Sequence, residues 1–206
     1  MLIITEKPSV AKDFAKALSC SFHGGYYQNS SYIITNCVGH LFELLEPADY
    51  DDKYKDWNNL PVLVPKFQYK IKEAAKKQAL LVLKLIKENI NNSILIATDA
   101  DREGEIIARE CLSYLHITDY SKIKRFWVSQ ALTPDVVISG IKPAQPLSKY
   151  NLLASQGFGR QHADWMVGIN FSRYLTTASK RKLPVGRVQT AVLAAIKNRC
   201  DANLIN

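Results

Sequence analysis

Short apolar runs alternate with amphipathic segments along the first 148 residues of this chain. Four runs have the length and composition of β-strands: Leu2–Thr5, Ser31–Val38, Ser93–Thr98 and Ile123–Val128. Apolar residues at helical spacing lie between them, at residues 10–18, 80–90 and 108–115, and Thr133-Pro134-Asp135 opens a further helix. Strands that alternate with helices predict an α/β domain with a mainly parallel sheet flanked by helices. The segment from Glu43 to Trp57 shows no period, and we predict that it is a loop.

The alternation stops near residue 148. From about Pro146 onward the strand pattern disappears, and the chain becomes helical and basic in character. We therefore expect one domain over residues 1–148 and the start of a second, incomplete helical domain over residues 149–206. With 206 residues, of which 47% are hydrophobic, the chain can bury one core and begin another.

The net charge of +8 is concentrated in the last quarter of the chain. Residues 149–206 contain nine Lys and Arg side chains against Asp164 and Asp201, and so contribute +7 of the total. Such asymmetry is expected of a segment that contacts a polyanion, because Lys and Arg contacts to phosphates release counterions. A solvated basic face without a ligand has the same composition. Charge alone leaves both interpretations open.

Targeting and redox features are few. No apolar run is long enough to cross a membrane, and the residues after Met1 lack the apolar core of a signal peptide. The four cysteines lie far apart without a CxxC pair, which predicts neither a zinc site nor a disulfide framework. We therefore expect a cytoplasmic protein with no membrane partner.

Four carboxylates stand at every second position directly after the apolar run Ile94–Ala97; they are Asp99, Asp101, Glu103 and Glu105. In an extended chain alternate residues share a face, so Asp99 and Asp101, with Glu103 as a further candidate, can converge on one point. Mutually repelling carboxylates at a strand end require a cation, and a few hard oxygen ligands suit Mg²⁺. An acidic turn that caps the following helix is the alternative interpretation.

The pair Glu6-Lys7 ends the first predicted strand, at the same edge of the sheet as the acidic turn. A carboxylate there could act as a general acid or base, and Lys7 could stabilise charge on a phosphoryl oxygen. A surface ion pair is the simpler explanation for Glu6-Lys7 taken alone.

Together with these carboxylates, five sequence strings resemble the opening of the type IA DNA topoisomerases, of the topoisomerase III kind. They are LIITEKPSVA at residues 2–11, GHL at 39–41, ATDADREGE at 97–105, ADWMVGINFSRYLT at 163–176 and VGRVQT at 185–190. A strand followed by Glu6 and a strand followed by Asp99-x-Asp101-x-Glu103 are similar to the Toprim domain, which topoisomerases share with primases and some nucleases. The order and spacing of all five strings make the resemblance specific across nearly the whole chain.

The resemblance implies a role for each matching residue. Glu6 becomes the acid or base next to the metal, and Lys7 a contact to the scissile phosphate. The implied Mg²⁺ ligands are Glu6, Asp99, Asp101 and Glu103. The implied contacts to single-stranded DNA are Arg160, Asp164, Ser172, Arg173, Arg187 and Gln189. The family's activity, Mg²⁺-dependent cleavage and rejoining of one DNA strand that relaxes negative supercoils, implies association with the nucleoid.

The chain departs from the family pattern in its tyrosines. Type IA enzymes attack DNA with a tyrosine in a Tyr-Pro-Arg-like context, and none of the ten tyrosines here precedes Pro-Arg. Tyr174 lies in the string that the resemblance assigns to binding. We therefore expect no nucleophilic tyrosine in this chain and no strand passage by it alone, with the missing domains in a longer chain. The alternatives are a truncated single-stranded DNA-binding protein and a Toprim nuclease that uses metal-activated water.

Overall fold

The computed structural model describes residues 1–204, which form two compact units. The first unit contains residues 1–43 and 69–158. The second contains residues 44–68 together with the chain from Gly159 onward.

The strands form a seven-stranded sheet and a separate two-stranded sheet. In chain order they are β1 (Leu2–Thr5), β2 (Ser21–His23), β3 (Tyr26–Gln28), β4 (Ile33–Asn36), β5 (Phe42–Leu44), β6 (Tyr69–Ile71), β7 (Ile94–Ala97), β8 (Ile123–Arg125) and β9 (Gln145–Pro146). The large sheet has the order β2-β3-β4-β1-β7-β8-β9, and β5 pairs with β6. Strands β4, β1, β7 and β8 run parallel to one another in the centre, whereas the outer strands pair antiparallel. The mainly parallel α/β sheet predicted from the sequence is confirmed.

Seven α-helices accompany these strands in the described residues. They are α1 (Pro8–Ala17), α2 (Pro47–Tyr50), α3 (Lys76–Asn89), α4 (Arg102–Tyr114), α5 (Pro134–Ile141), α6 (Asn151–Ser179) and α7 (Gln189–Leu204). Helices pack against both faces of the large sheet, as the residues of β1 show. Leu2 and Ile4 pack in one core with residues of α3 and α4, and Ile3 packs in the other with residues of α1 and α5. Because successive strand residues point to opposite faces, four apolar residues in a row are what a strand covered on both sides requires.

The loop predicted from Glu43 to Trp57 is wrong in part. The segment holds the end of β5, the single turn α2 and a 3-10 helical turn at Asp52–Lys55. Helix α2 begins at Pro47, after the N-cap residue Glu46. The Glu46 backbone N–H donates to Asp49 Oδ2 at 2.9 Å, as in a capping box. Each of these elements is shorter than the window over which periodicity can be detected.

In the second unit, residues 44–68 pack against the later part of α6. The Asn170 side chain bonds to the Val62 backbone in both directions, accepting from its N–H at 2.7 Å and donating to its carbonyl at 3.1 Å. The Phe67 and His162 rings stack with centroids 3.9 Å apart. No helix within residues 1–204 is both long and apolar enough to span a bilayer.

The two compact units do not follow the predicted division at residue 148. The first turns of α6 belong with the sheet, since Arg109 on α4 donates to Asn151 Oδ1 and to the Leu147 carbonyl, each at 2.8 Å. Residues 44–68, although early in the chain, belong with the later residues. The limits 1–148 and 149–206 stay a prediction.

Candidate functional site

Three neighbouring parallel strands bring polar residues to one edge of the large sheet. Thr5 at the end of β1 pairs with Asn36 of β4 and with Ala97 of β7, so the three strands end in register. The residues that follow them are Glu6-Lys7 after β1, Gly39-His40 after β4 and Asp99 after β7. Carboxyl ends of parallel strands are where α/β sheets place their functional groups.

Glu6, Lys7 and Asp99 contact one another at this edge. Lys7 Nζ lies 2.5 Å from Asp99 Oδ2 and 3.6 Å from Glu6 Oε1. The Asp99 backbone N–H donates to Glu6 Oε2 at 3.3 Å. The hydrogen bond to Asp99, together with the charge of Glu6, raises the pKa of Lys7. Two carboxylates thus share one ammonium group, with Lys7 exposed and Asp99 half-exposed.

Asp101 and Glu103 have different surroundings from Asp99. Asp101 Oδ1 accepts from the Gly104 N–H at 2.6 Å and caps α4, so the helix begins at Arg102 and Glu103 lies in its first turn. The extended backbone that would place Glu103 on the same face as Asp99 and Asp101 ends at the Asp101 cap, as the alternative interpretation of an acidic capping turn predicts. A Cβ at Gly104 would collide with the Asp99 backbone carbonyl, so only glycine allows this close turn.

The fourth carboxylate of the motif, Glu105, is fully buried and serves a structural network. It accepts from Arg109 Nε at 2.7 Å and from Arg125 Nε at 2.9 Å. Arg125, fully buried on β8, also donates to the carbonyls of Thr98 at 2.7 Å and Asp99 at 2.6 Å. Burial lowers the pKa of Arg125, while the charge of Glu105 opposes that shift. This network holds the backbone that carries Asp99.

His40 is a further residue at this edge, with no role predicted from the sequence pattern. Its Nδ1 lies 2.9 and 3.0 Å from the two carboxylate oxygens of Glu110, and its Nε2 lies 3.3 Å from Glu103 Oε2. The hydrogen bond to Glu110 raises the pKa of His40 against the opposing effect of burial. The string GHL was the signal that could have drawn attention to it.

The donor set at this edge fits a hard divalent cation. Glu6 and Asp99 each place a carboxylate oxygen within 4 Å of the same cationic group, Lys7 Nζ. Mg²⁺ is commonly held by one or two carboxylates, with water and substrate phosphate completing its shell. Within residues 1–204, no group of three or more His, Cys, Asp or Glu side chains is arranged as a metal cage. Of the four predicted ligands, Glu6 and Asp99 contact the same Lys7 ammonium group, whereas Asp101 accepts from the Gly104 N–H and Glu103 contacts His40.

In the second unit, Asp164 on α6 lies between two arginines. Arg187 Nε is 2.6 Å from Asp164 Oδ1, and Arg160 Nε is 3.6 Å from Asp164 Oδ2. The hydrogen bond from Arg187 lowers the pKa of Asp164, and Asp164 in turn raises the pKa of Arg187. Ser172 Oγ accepts from the Val185 N–H at 2.7 Å, which ties the segment before Arg187 to α6. Gln189 is exposed at the start of α7.

Arg173 differs from the other predicted DNA contacts because it is buried. Its Nη1 donates to the Tyr54 carbonyl at 2.8 Å, and its guanidinium lies over the Trp57 ring at 5.4 Å. Burial lowers the pKa of Arg173. The side chain is engaged by residues 54–57 rather than open to a phosphate, so the structure does not support a direct DNA contact for it.

Comparisons with known proteins agree with this architecture. A family model described as Toprim domain matches residues 1–131, and one described as DNA topoisomerase matches residues 148–203. The chain is 40% identical over 204 residues to DNA topoisomerase 3 of Bacillus anthracis, covering 97% of this chain and 27% of that protein. DNA topoisomerase 3 of Staphylococcus saprophyticus is 39% identical over 201 residues, or 96% of this chain and 28% of that protein.

A solved structure shows the same fold. Full-length topoisomerase I from Thermotoga maritima superposes with a TM-score of 0.67 at 25% identity, over 97% of this chain and 30% of that chain. The fold and the sheet edge define a Toprim protein. More particularly, the chain belongs to the type IA DNA topoisomerases and corresponds to an N-terminal portion of such an enzyme. It spans about 27% of the length of the curated relatives it matches.

Proposed function

We propose that this chain supplies the metal-binding and DNA-binding part of a topoisomerase that cuts and rejoins one DNA strand with Mg²⁺ and relaxes negative supercoils. The observation that carries the proposal is the contact of Glu6, Lys7 and Asp99 at the ends of two adjacent parallel strands. Toprim domains of topoisomerases generally use a divalent metal. The proposal assigns residues 1–148 to the metal-binding part and residues 149–206 to the DNA-binding part.

Each group at the sheet edge has a separate proposed role in the cleavage of a phosphodiester bond. Lys7 places a positive charge next to Glu6 and Asp99, where it can contact a non-bridging phosphate oxygen. Glu6, mostly buried beside it, can hold the proton that the departing sugar oxygen needs and take it back on rejoining. Mg²⁺, when bound by Glu6 and Asp99 with Asp101 and Glu103 nearby, supplies further positive charge to the phosphate.

We assign the DNA contact to the exposed cluster around Asp164. Arg160 and Arg187 present forked donors of the kind that grip phosphates, and Asp164 fixes their orientation. Ser172 and Gln189 lie in the same part of the chain and add neutral polar groups suited to sugar or base edges. Type IA topoisomerases bind single-stranded DNA, and we propose the same ligand and a nucleoid location here.

The proposed reaction also needs a nucleophilic tyrosine, and this sequence contains none in the family's Tyr-Pro-Arg-like context. A covalent step needs a tyrosine held close to the phosphorus, and no tyrosine of this sequence stands before Pro-Arg. We therefore propose that the 206-residue chain binds single-stranded DNA and a divalent cation without relaxing supercoiled DNA or forming a protein–DNA adduct.

One set of assays separates this proposal from its rivals. The chain is mixed with Mg²⁺ and either a labelled single-stranded oligonucleotide or supercoiled plasmid. We expect the protein to bind the oligonucleotide and to leave the plasmid topology unchanged. We expect no band of protein covalently attached to DNA on a denaturing gel. Open nicks that disappear in Asp99→Asn would instead indicate a Toprim nuclease. A covalent band lost in Tyr174→Phe would show that the chain carries its own nucleophile. Failure to bind the oligonucleotide would reject the proposal.

The salt dependence of binding tests the assignment of the DNA contact. Arg187→Ala should reduce the slope of log affinity against log salt by about one unit, the loss of one phosphate contact. Lys124→Ala, which removes one exposed positive charge from β8 in the first unit, is the matched control and should leave the slope unchanged. An unchanged slope in Arg187→Ala would place the contact elsewhere.

A further inference from the structure

His40 joins two turns of α4 at the candidate site. Glu103 and Glu110 lie seven residues apart on α4, so they share a face of the helix. The imidazole of His40 stands between them, with Nδ1 directed at Glu110 and Nε2 directed at Glu103. One ring thus links a buried carboxylate to an exposed one.

Glu110 is a fixed anchor. Its side chain is fully buried, and both of its oxygens lie within 3.0 Å of His40 Nδ1. A buried carboxylate must be hydrogen-bonded to offset its loss of water, so this end of the ring is held firmly.

The backbone that carries His40 is also fixed. Gly39 has a φ of +69°, a left-handed conformation that glycine adopts without strain, and its N–H donates to the Glu6 carbonyl at 3.5 Å. Just before it, the Cys37 N–H donates to the Thr5 carbonyl at 2.8 Å. The position of the imidazole is therefore fixed by the backbone that carries His40 and by the contact of its Nδ1 with Glu110.

Glu103 has the opposite character. Its side chain is half-exposed in the first turn of α4, where a Glu side chain has many rotamers available. The contact from His40 Nε2 to Glu103 Oε2 restricts that freedom and leaves Oε1 as the oxygen that can face a cation or its water.

We propose that His40 is a positioning residue for Glu103, transmitting the fixed position of buried Glu110 to a carboxylate of the metal site. Partners of this kind orient metal-bound carboxylates and set metal affinity. The inference rests on the proposed function, since it takes Glu103 to be a ligand of the cation or of its water.

The test is a double-mutant cycle on cation affinity, with Mn²⁺ as the probe and free Mn²⁺ counted by electron paramagnetic resonance on the full 206-residue chain. His40→Ala and Glu103→Gln should each weaken binding about tenfold, the usual effect of removing a group that orients a metal ligand. The double variant should be no weaker than Glu103→Gln alone, because His40 acts only through Glu103. His40→Gln, whose amide can still donate to Glu103, should recover part of the affinity.

The possible outcomes separate the inference from the proposed function. Multiplied effects in the double variant, or wild-type affinity in His40→Ala, would overturn the positioning role. Wild-type affinity in Glu103→Gln together with lost binding in Asp99→Asn would overturn it too, while leaving the metal site standing. Wild-type affinity in both Glu103→Gln and Asp99→Asn would reject the metal site itself.

A measurement on the unmodified chain covers the case in which His40→Ala fails to fold. Nitrogen NMR of the histidine rings during a Mg²⁺ titration should show the His40 Nε2 resonance moving to saturation. The exposed ring of His116, at the far end of α4, is the internal control and should not move. A stationary His40 resonance at saturating Mg²⁺ would overturn the inference.

Discussion

Arg125 places a charge inside the sheet unit, where it holds the strand ends together. It is fully buried, pairs with Glu105 and donates to backbone carbonyls on either side of Asp99. Arg125→Met leaves buried Glu105 with Arg109 as its charged partner and removes the donor from the Thr98 and Asp99 carbonyls. It should therefore destabilise the chain by about 3 to 5 kcal/mol in urea unfolding. Lys124→Ala, at the exposed neighbouring position of β8, should change the stability by less than about 0.5 kcal/mol. Equal stabilities for the two variants would show that the network is not structural.

The pair Asp164 and Arg187 predicts a pH dependence. Because the hydrogen bond from Arg187 lowers the pKa of Asp164, the pair contributes stability above the ordinary Asp pKa and loses it as the pH falls through the lowered value. Arg187→Ala should therefore raise the Asp164 pKa toward its ordinary value, as measured by carboxyl carbon NMR. Arg160→Ala should raise it less, because Arg160 lies 3.6 Å from the carboxylate and Arg187 lies 2.6 Å from it. The reverse order would contradict the geometry.

At the scale of elements, the turn from β7 into α4 depends on Gly104. A Cβ there would meet the Asp99 backbone, so Gly104→Ala should displace the turn, destabilise the chain by about 1 to 3 kcal/mol and weaken Mn²⁺ binding. Gly159→Ala is the control in α6, where nothing lies within 4 Å of the added methyl group. It should be neutral or stabilising by up to about 1 kcal/mol, because alanine is the better helix former. Wild-type Mn²⁺ affinity in Gly104→Ala would argue against the turn as part of the metal site.

The elements also show which parts of the site a sequence can predict. Strands that are buried on both faces appear in the sequence as continuous apolar runs, and β1 and β7 are of this kind. The sequence therefore predicts that Glu6 and Asp99, which follow these strands, lie at one edge of a parallel sheet. The repeat of carboxylates at every second position does not distinguish half-exposed Asp99 from buried Glu105. That difference arises where α4 begins and where Arg125 lies, and both are set by tertiary contacts.

Contacts between distant parts of the chain determine the surroundings of Arg173 and His40. Arg173 matches the family string for DNA binding, yet its burial is decided by Tyr54 and Trp57, more than a hundred residues earlier. The role of His40 depends in the same way on Glu110, which no local pattern pairs with it. Local patterns predict the elements, whereas the partners of charged side chains come from the assembled fold.

For the whole molecule, we expect a divalent cation to bind at the edge where β4, β1 and β7 end. Substoichiometric Mn²⁺ added to isotope-labelled protein broadens the amide NMR signals of nearby residues. We expect the amide signals of Lys7, Gly39 and Asp101 to broaden first. Tyr114 should keep its signal, since the 13 residues of α4 place it about 20 Å from the start of that helix. Broadening that begins elsewhere, or that persists unchanged in Asp99→Asn, would show that the cation does not bind at this edge.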